Sequence, residues 1–267
     1  MSENPGRVVL VTGGTKGLGL AIGEAFGGEG DRVVLTHRWS SADEDEIRGR
    51  FEELGAKMLM IVQADAGDDG ETRELLELIR DRYGVIDVFV HNVCVVPRSQ
   101  GAMDYRRRDL LRSIDYSAWP FIGTLQGIAS VFGRYPRYAL ALSSDGADRH
   151  YPGYGYVALA KSVLETLAKY WATHLREAGC RVNVIRTRQV TTDGFGEMFG
   201  EHGAAVSRAF AEYAVEAEQV ADVASSLCSG LWDALSGQVI TVDHGSGFVD
   251  NMMTLGQRLF EEVDHAR

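Results

Sequence analysis

The stretch RVVLVTGGTKGLG, residues 7–19, decides the fold. Its first half, RVVLVT (7–12), is short, β-branched and continuously apolar, as a parallel strand buried on both faces must be. Its second half spaces glycines as Gly13-x3-Gly17-x-Gly19 and opens a helical pattern over 17–29. Glycine there permits a tight turn, lets backbone approach a pyrophosphate, and lets helix pack on strand. The helix N-terminus then turns free N–H groups toward an anion. A dinucleotide site built on Gly13, Thr15, Lys16, Gly17, Leu18 and Gly19 is the expectation.

Outward from this unit the pattern repeats. VVLTH (33–37), MLMIVQ (58–63), VIDVFV (85–90), YALALS (138–143), CRVNVI (180–185) and QVITVD (238–243) read as strands. Helical periodicity covers 42–55, 70–82, 105–132, 155–178 and 218–229. Alternating strands and helices require right-handed crossovers with helices on both faces. The predicted fold is an α/β, Rossmann-type, doubly wound parallel sheet of about seven strands, spanning 1–267 as one domain. The segment 191–216, glycine-rich and then amphipathic, is too long for a simple connection and reads as a lid or substrate loop.

Composition narrows the function classes. A net charge of −11 disfavours nucleic acid and anionic membrane as partners. No apolar run is long enough to span a bilayer, and the N-terminus lacks a signal-peptide pattern. Cys94, Cys180 and Cys228 are scattered and odd in number, which fits a reducing, cytoplasmic compartment, and no metal spacing is present. Of 27 basic residues only Lys16, Lys57, Lys161 and Lys169 are lysine, so each retained lysine invites a reason.

The end of the second strand bears on which nicotinamide cofactor fits. A carboxylate there accepts a free ribose 2′-hydroxyl and repels a 2′-phosphate. This chain has Thr36-His37-Arg38 instead, and Lys16 and Arg38 together suit the phosphate of NADPH.

Seven pieces together resemble the short-chain dehydrogenase/reductase family over nearly the whole chain. They are TGGTKGLG, Asp65 in VQADA, HNVC, LSSDG, the tyrosine–lysine helix, VNVI and GQVITVDHG. The family's usual pair is Tyr-x3-Lys, yet Val157 stands four before Lys161. In GYGYVALAK (153–161) two tyrosines remain. At about 100° per residue, Tyr154 lies within ~20° of the Lys161 face, whereas Tyr156 lies ~140° away. The Tyr-x6-Lys spacing resembles the enoyl-acyl-carrier-protein reductase branch, as does the run SSDGADRHYPGYGYVALAK. That resemblance implies Tyr154 as the residue on the thioester oxygen, Lys161 on the nicotinamide ribose and Ser144 in the family serine position. It implies Asn92 and Asp65 at the adenosine side, and Val190 and Thr192 at the nicotinamide amide. It further implies a homodimer or homotetramer.

The chain also departs from the family. Thr187-Arg188 replaces the Pro-Gly or Gly-Gly after strand six, Asn92-Val93-Cys94 replaces Asn-Ala-Gly, and Asp115 replaces the relay asparagine. Cys94 reads as a buried thiol rather than a nucleophile. His91, His150 and His244 read as structural. Arg98, Arg106, Arg107, Arg108 and Arg112 suit either a solvated helix face or a phosphopantetheine or acidic carrier protein. The favoured reading is an NADPH-dependent reductase of an enoyl group on a thioester-linked acyl chain, in specialised, polyketide-like metabolism. A ketoreductase, and an inert cofactor-binding regulator or subunit, stand as alternatives.

Overall fold

A computed structural model describes residues 6–39, 43–56, 58–99, 101–191, 211–250 and 252–254. Seven parallel strands form one sheet. They are β1 (Val8–Thr12), β2 (Arg32–His37), β3 (Met58–Gln63), β4 (Val88–His91), β5 (Tyr138–Ser144), β6 (Arg181–Thr187) and β9 (Val239–Val242). Their order is β3-β2-β1-β4-β5-β6-β9. A second, two-stranded pairing joins β7 (Val190–Thr191) to β8 (Val215–Glu216). Among the described residues seven helices connect the strands: α1 (Gly17–Gly28), α2 (Glu44–Glu53), α3 (Asp69–Tyr83), α4 (Arg107–Ser117), α5 (Trp119–Phe132), α6 (Gly155–His174) and α7 (Ala217–Leu227).

Alternate strand residues feed two separate cores. Val9, Val11, Val33, Leu35, Val88 and Val90 pack under α1, α2 and α7. Val8, Leu10, Val34, Phe89, Ala139 and Val182 pack under α3, α5 and α6. This is why the central strands read as unbroken apolar runs: both faces are covered. Each fully buried leucine or phenylalanine contributes about 1.5–3 kcal/mol.

The strand order reverses between β1 and β4. The chain moves outward from β1 to β3, then returns to pair β4 against β1, and this opens a crevice beyond their carboxyl ends. Gly13 and Asn92 lie directly after those two strands.

The helix expected over 105–132 is two helices. Ala118, at φ −124 and ψ −52, leaves helical geometry, and Pro120 follows in the first turn of α5. Proline has no N–H to continue a helical ladder, so it starts α5 rather than extending α4. The fourth strand begins at Val88: the Asp87 side chain accepts from Val8 N (2.9 Å) while its N–H donates to Val8 O (2.9 Å), and the register with β1 starts one residue later, at Val9 and Val88. The α6 helix ends at His174, and the turn that follows closes at Gly179, φ +74. Of the lid expected at 191–216, residues 192–210, and Thr192 with them, lie outside the described residues.

Candidate active site

The cleft has a nucleotide end and a substrate end. At the nucleotide end Gly13 and Gly17 hold φ +64 and +51, the left-handed region that glycine alone enters cheaply. A Cβ on Gly19 would sit 2.3 Å from Gly13 O and 2.6 Å from Asn92 Nδ2, so the helix packs closely against the loop. Asn92 Nδ2 donates to Gly13 O at 2.9 Å and ties the loops after β1 and β4. Thr15 is buried, Leu18 is half-buried, and Lys16 is exposed at the N-cap of α1.

The head of α1 fits an anion. Lys16 makes no side-chain cap, and the first turn holds no carboxylate. By contrast Asp43 caps α2 through Asp45 N, and Asp68 caps α3 through Gly70 N and Glu71 N. Those helices also carry acids in their first turns. A side-chain cap contributes about 1 kcal/mol. The α1 head forgoes it, leaving N–H groups and dipole for a phosphate.

Beside this loop Arg38 lies between the rings of Trp39 (4.5 Å) and Tyr116 (4.8 Å). Its Nε meets Asp65 Oδ2 at 2.7 Å. Asp65 also accepts from Gly67 N at 2.9 Å. Two residues expected to touch different parts of a cofactor are thus an ion pair in the protein itself.

At the substrate end Tyr154 is the N-cap of α6, with φ −94 and ψ −1. Its backbone is helical, so the 100° phase applies to it. Its side chain is buried and pressed on Gly146, where a Cβ would meet the ring at 2.5 Å. Burial raises the Tyr154 pKa, helped by Cys94, Asp145 and Tyr151, while a hydrogen bond with Ser144 pulls the other way. Lys161, also buried, donates from Nζ to Leu142 O at 2.7 Å. Tyr156 points elsewhere. It is 1% exposed, its hydroxyl accepts from Arg106 N (2.5 Å) and donates to Asp104 O (3.3 Å), and its ring packs on Tyr105. It anchors the segment before α4.

His91, at the end of β4, is buried beside this lysine. Its Nε2–H donates to Ser117 O (3.2 Å), and Nδ1 faces Thr12 Oγ1 (3.4 Å). Desolvation first, and then the charge of Lys161, pull its pKa down to about 3. The imidazole is neutral, and its protonation would place two cations together.

A charged network fills the space beyond Tyr154. Asp145, next to Ser144, is 5% exposed and accepts the Tyr151 hydroxyl on both oxygens (2.9 and 2.8 Å). Arg188 Nε lies 3.5 Å from Asp145 Oδ2, and its Nη1 donates to Ser246 O. Arg149 Nε is 3.7 Å from the same carboxylate oxygen, and its Nη2 donates to Gly247 O. The Tyr151 ring stands edge-on to the Tyr154 ring, 5.8 Å between centroids. Burial and the Asp145 carboxylate push the Tyr151 phenol up to about 12. Behind this layer Arg186 pairs with buried Glu165 (2.5 Å) and with Asp148, and Ser143 donates to Glu165 (2.7 Å).

This network escapes sequence reading except for Arg188. Asp145 and Tyr151 stand inside the run that carries the resemblance, yet only the fold brings Arg188 to them. The available signal is arginine at 186 and 188, at and just past the end of a strand whose Val182, Val184 and Ile185 are buried. Val190 lies in β7, two residues beyond Arg188, and is buried. Cys94 is half-buried rather than buried. Its Sγ accepts from Ser117 Oγ at 3.5 Å, because the thiol lies on the loop leaving β4 and not in the sheet. Arg106, Arg107, Arg108 and Arg112 are exposed about the start of α4. Among the described residues no cluster could hold a metal ion, and no helix is long and apolar enough to cross a membrane.

A family profile described as enoyl-(acyl carrier protein) reductase matches residues 13–247. The chain belongs to that family. Over 255 residues it is 30% identical to the enoyl-[acyl-carrier-protein] reductase [NADH] FabI of Escherichia coli, covering 90% of this chain and 94% of the relative. It is 24% identical to 1-cyclohexenylcarbonyl-CoA reductase of Streptomyces collinus, covering 91% and 88%. Among solved structures, actinorhodin polyketide ketoreductase with NADPH superposes with a TM-score of 0.79 at 20% identity, covering 92% of this chain and 98% of that one. At that identity the likeness speaks for the Rossmann-type fold alone.

Proposed function

We propose that the protein reduces the carbon–carbon double bond of an acyl thioester with NADPH, acting on a small or carrier-linked substrate. One observation carries the reading. Tyr154 stands at the head of α6 beside Ser144, two turns above Lys161, while Tyr156 is turned away into the α4 side. Two turns are about 10 Å. A ketone reductase needs its acid beside the carbon that takes the hydride. Enoyl reduction adds hydride to the β-carbon and a proton to the α-carbon, and negative charge develops meanwhile on the thioester oxygen, further away. A hydroxyl set back from the lysine suits that second geometry.

A nicotinamide cofactor supplies the hydride when bound. Gly13, Gly17 and the head of α1 would hold its pyrophosphate, with Asn92 bracing that loop, and Asp65 would serve the adenosine side. Lys161 would take the ribose hydroxyls, and Val190 would serve the amide. Tyr154 donates to the thioester oxygen. A phenol is protonated at neutral pH and burial shifts Tyr154 further that way, so the group arrives as a donor. Ser144 holds that phenol in line.

The NADPH preference rests on Lys16 and Arg38, with no carboxylate at the end of β2. The Escherichia coli relative is described as NADH-dependent. Asp65 offsets part of the Arg38 charge here, so the expected preference is modest, about tenfold, or ~1.4 kcal/mol.

NADPH oxidation followed in parallel against crotonyl- and acetoacetyl-pantetheine tests the reading. Consumption with the crotonyl thioester alone is the expected result. Consumption with the acetoacetyl thioester alone makes the protein a ketone reductase, and consumption with neither removes the enzymatic reading.

A further inference from the structure

We propose that Asp145, Tyr151 and Arg188 select the substrate: the enoyl thioester this site takes carries a hydroxyl group next to its reacting double bond. The inference rests on the enoyl reading and goes beyond it to the class of acyl chain.

Position comes first. Asp145 directly follows Ser144, which hydrogen-bonds Tyr154, and Tyr151 stands edge-on to the Tyr154 ring. Arg188 reaches the same carboxylate from the loop after β6. Asp145 and Tyr151 therefore border the phenol that would meet the thioester oxygen, and Arg188 adjoins them through Asp145.

Burial comes second. Asp145 is 5% exposed and the Arg188 side chain 15%. Taking a carboxylate and a guanidinium out of water costs several kcal/mol per ion, and their attraction returns only part of it. Apolar side chains of similar size would hold the two loops together at least as well. Stability alone does not account for charged groups here.

Chemistry comes third. An alkyl chain laid against this wall would meet charged and polar groups and offer them no hydrogen bond. A hydroxyl donates to the carboxylate and accepts from the guanidinium. A carboxylate on the substrate fits less well. Asp145 would repel it. Arg188 and Arg149 already pair with Asp145 across 3.5 and 3.7 Å, and one N–H of each donates to Ser246 O or Gly247 O, so neither is free to balance a second full negative charge. One more group points the same way. Ser246 Oγ is buried and has no hydrogen-bond partner among the described residues, although its own carbonyl receives Arg188. A site built to hydrogen-bond a substrate hydroxyl rejects the analogue lacking it far more strongly than an apolar pocket rejects one methylene.

The test compares kcat/KM for crotonyl-, 4-hydroxycrotonyl- and fumaryl-pantetheine with NADPH. The 4-hydroxy substrate is expected to exceed the crotonyl substrate at least tenfold, with the fumaryl substrate below it. In Asp145→Asn and Tyr151→Phe that ratio should fall to within about twofold of one. Should Asp145→Asn fail to fold, as judged by its melting curve, Tyr151→Phe removes a single hydroxyl and decides alone. Equal kcat/KM for crotonyl and 4-hydroxycrotonyl in the unmodified protein, or a ratio untouched by Tyr151→Phe, overturns the selector and leaves the enoyl reading in place. A fumaryl preference overturns it in favour of an anionic substrate. No reduction of any of the three removes the enoyl reading and the selector together.

Discussion

The heads of α1 and α6 open onto one cleft, yet they are shaped in opposite ways. Around α1 the chain removes side chains: glycines at 13, 17 and 19, no cap, no carboxylate in the first turn. What remains is backbone, and backbone N–H groups suit any diphosphate. Around α6 the chain adds side chains: Tyr154 and Tyr151, with Asp145, Arg149 and Arg188 behind them. A surface made of backbone can serve many relatives unchanged. A surface made of charged side chains is particular to what it meets. Of the departures from the family, Arg188 stands at the second head, where the substrate would lie, and Val93 lies beside Gly13 at the first.

Substitutions that damage one end and spare the other test this division. The largest effect is expected from Tyr154→Phe. Turnover of a crotonyl thioester should fall about 10²–10⁴-fold, the usual contribution of a positioned acid. NADPH affinity, measured by fluorescence titration, should stay within about threefold, because an interaction made with the substrate alone leaves cofactor binding untouched. A matching loss of NADPH affinity would mean that the two ends are not separable.

Lys161 is the side chain expected to serve both. Lys161→Ala should lower turnover and weaken NADPH at least about tenfold each, one lost charge-assisted contact being enough. Lys161→Arg should not restore either, since a planar guanidinium does not replace a compact ammonium. Steady-state kinetics with a parallel cofactor titration reads both quantities.

His91 lies where the ends meet, and its signature is in pH. Its folded pKa, about 3, is below the ordinary value of 6.5. The unfolded chain therefore binds a proton first as pH falls. The neutral buried form favours the fold above pH 6.5, and that advantage fades between pH 6.5 and about 3. The slope from one proton is at most about 1.4 kcal/mol per pH unit. Denaturant unfolding across this window should show it, and His91→Asn should flatten it.

Arg38→Asp acts at the nucleotide end alone. It should reverse the cofactor preference by about tenfold, ~1.4 kcal/mol, without lowering the rate at saturating NADH. A preference for NADH in the unmodified protein would overturn the assignment of Arg38. The smallest effect on rate is expected from Tyr156→Phe. Turnover should stay within about twofold, and stability should fall by about 1 kcal/mol with the lost hydrogen bonds to Arg106 N and Asp104 O.

How far the sequence reaches follows from the same physics. Buried parallel strands are continuous apolar runs, so β1, β2, β3, β5 and β6 can be read within about a residue or two. VIDVFV misleads by its first residues, since Val85 and Ile86 are apolar yet precede the ladder. The break at Ala118 was signalled by Pro120, but the amphipathic pattern runs across it. The facing of Tyr154 and Tyr156 depends only on helical phase, a local quantity. The Asp145–Tyr151–Arg188 cluster depends on two loops distant in sequence meeting above the sheet. No periodicity encodes that meeting. Arg38 beside Asp65 is hidden for the same reason, because β2 and β3 must first lie side by side.

The short pairing of β7 with β8 has a consequence of another kind. Val190 pairs in register with Val215 and Thr191 with Glu216, and Val215 N donates to Gln189 O at 2.9 Å. The two feet of the intervening segment are thus fastened to each other, independently of the main sheet. Once the ends of a chain segment are fixed, doubling its length adds only about 0.6 kcal/mol of closure entropy. For closure entropy alone, the length of chain between Thr191 and Val215 therefore matters little, because the pairing of the feet has already brought its ends together.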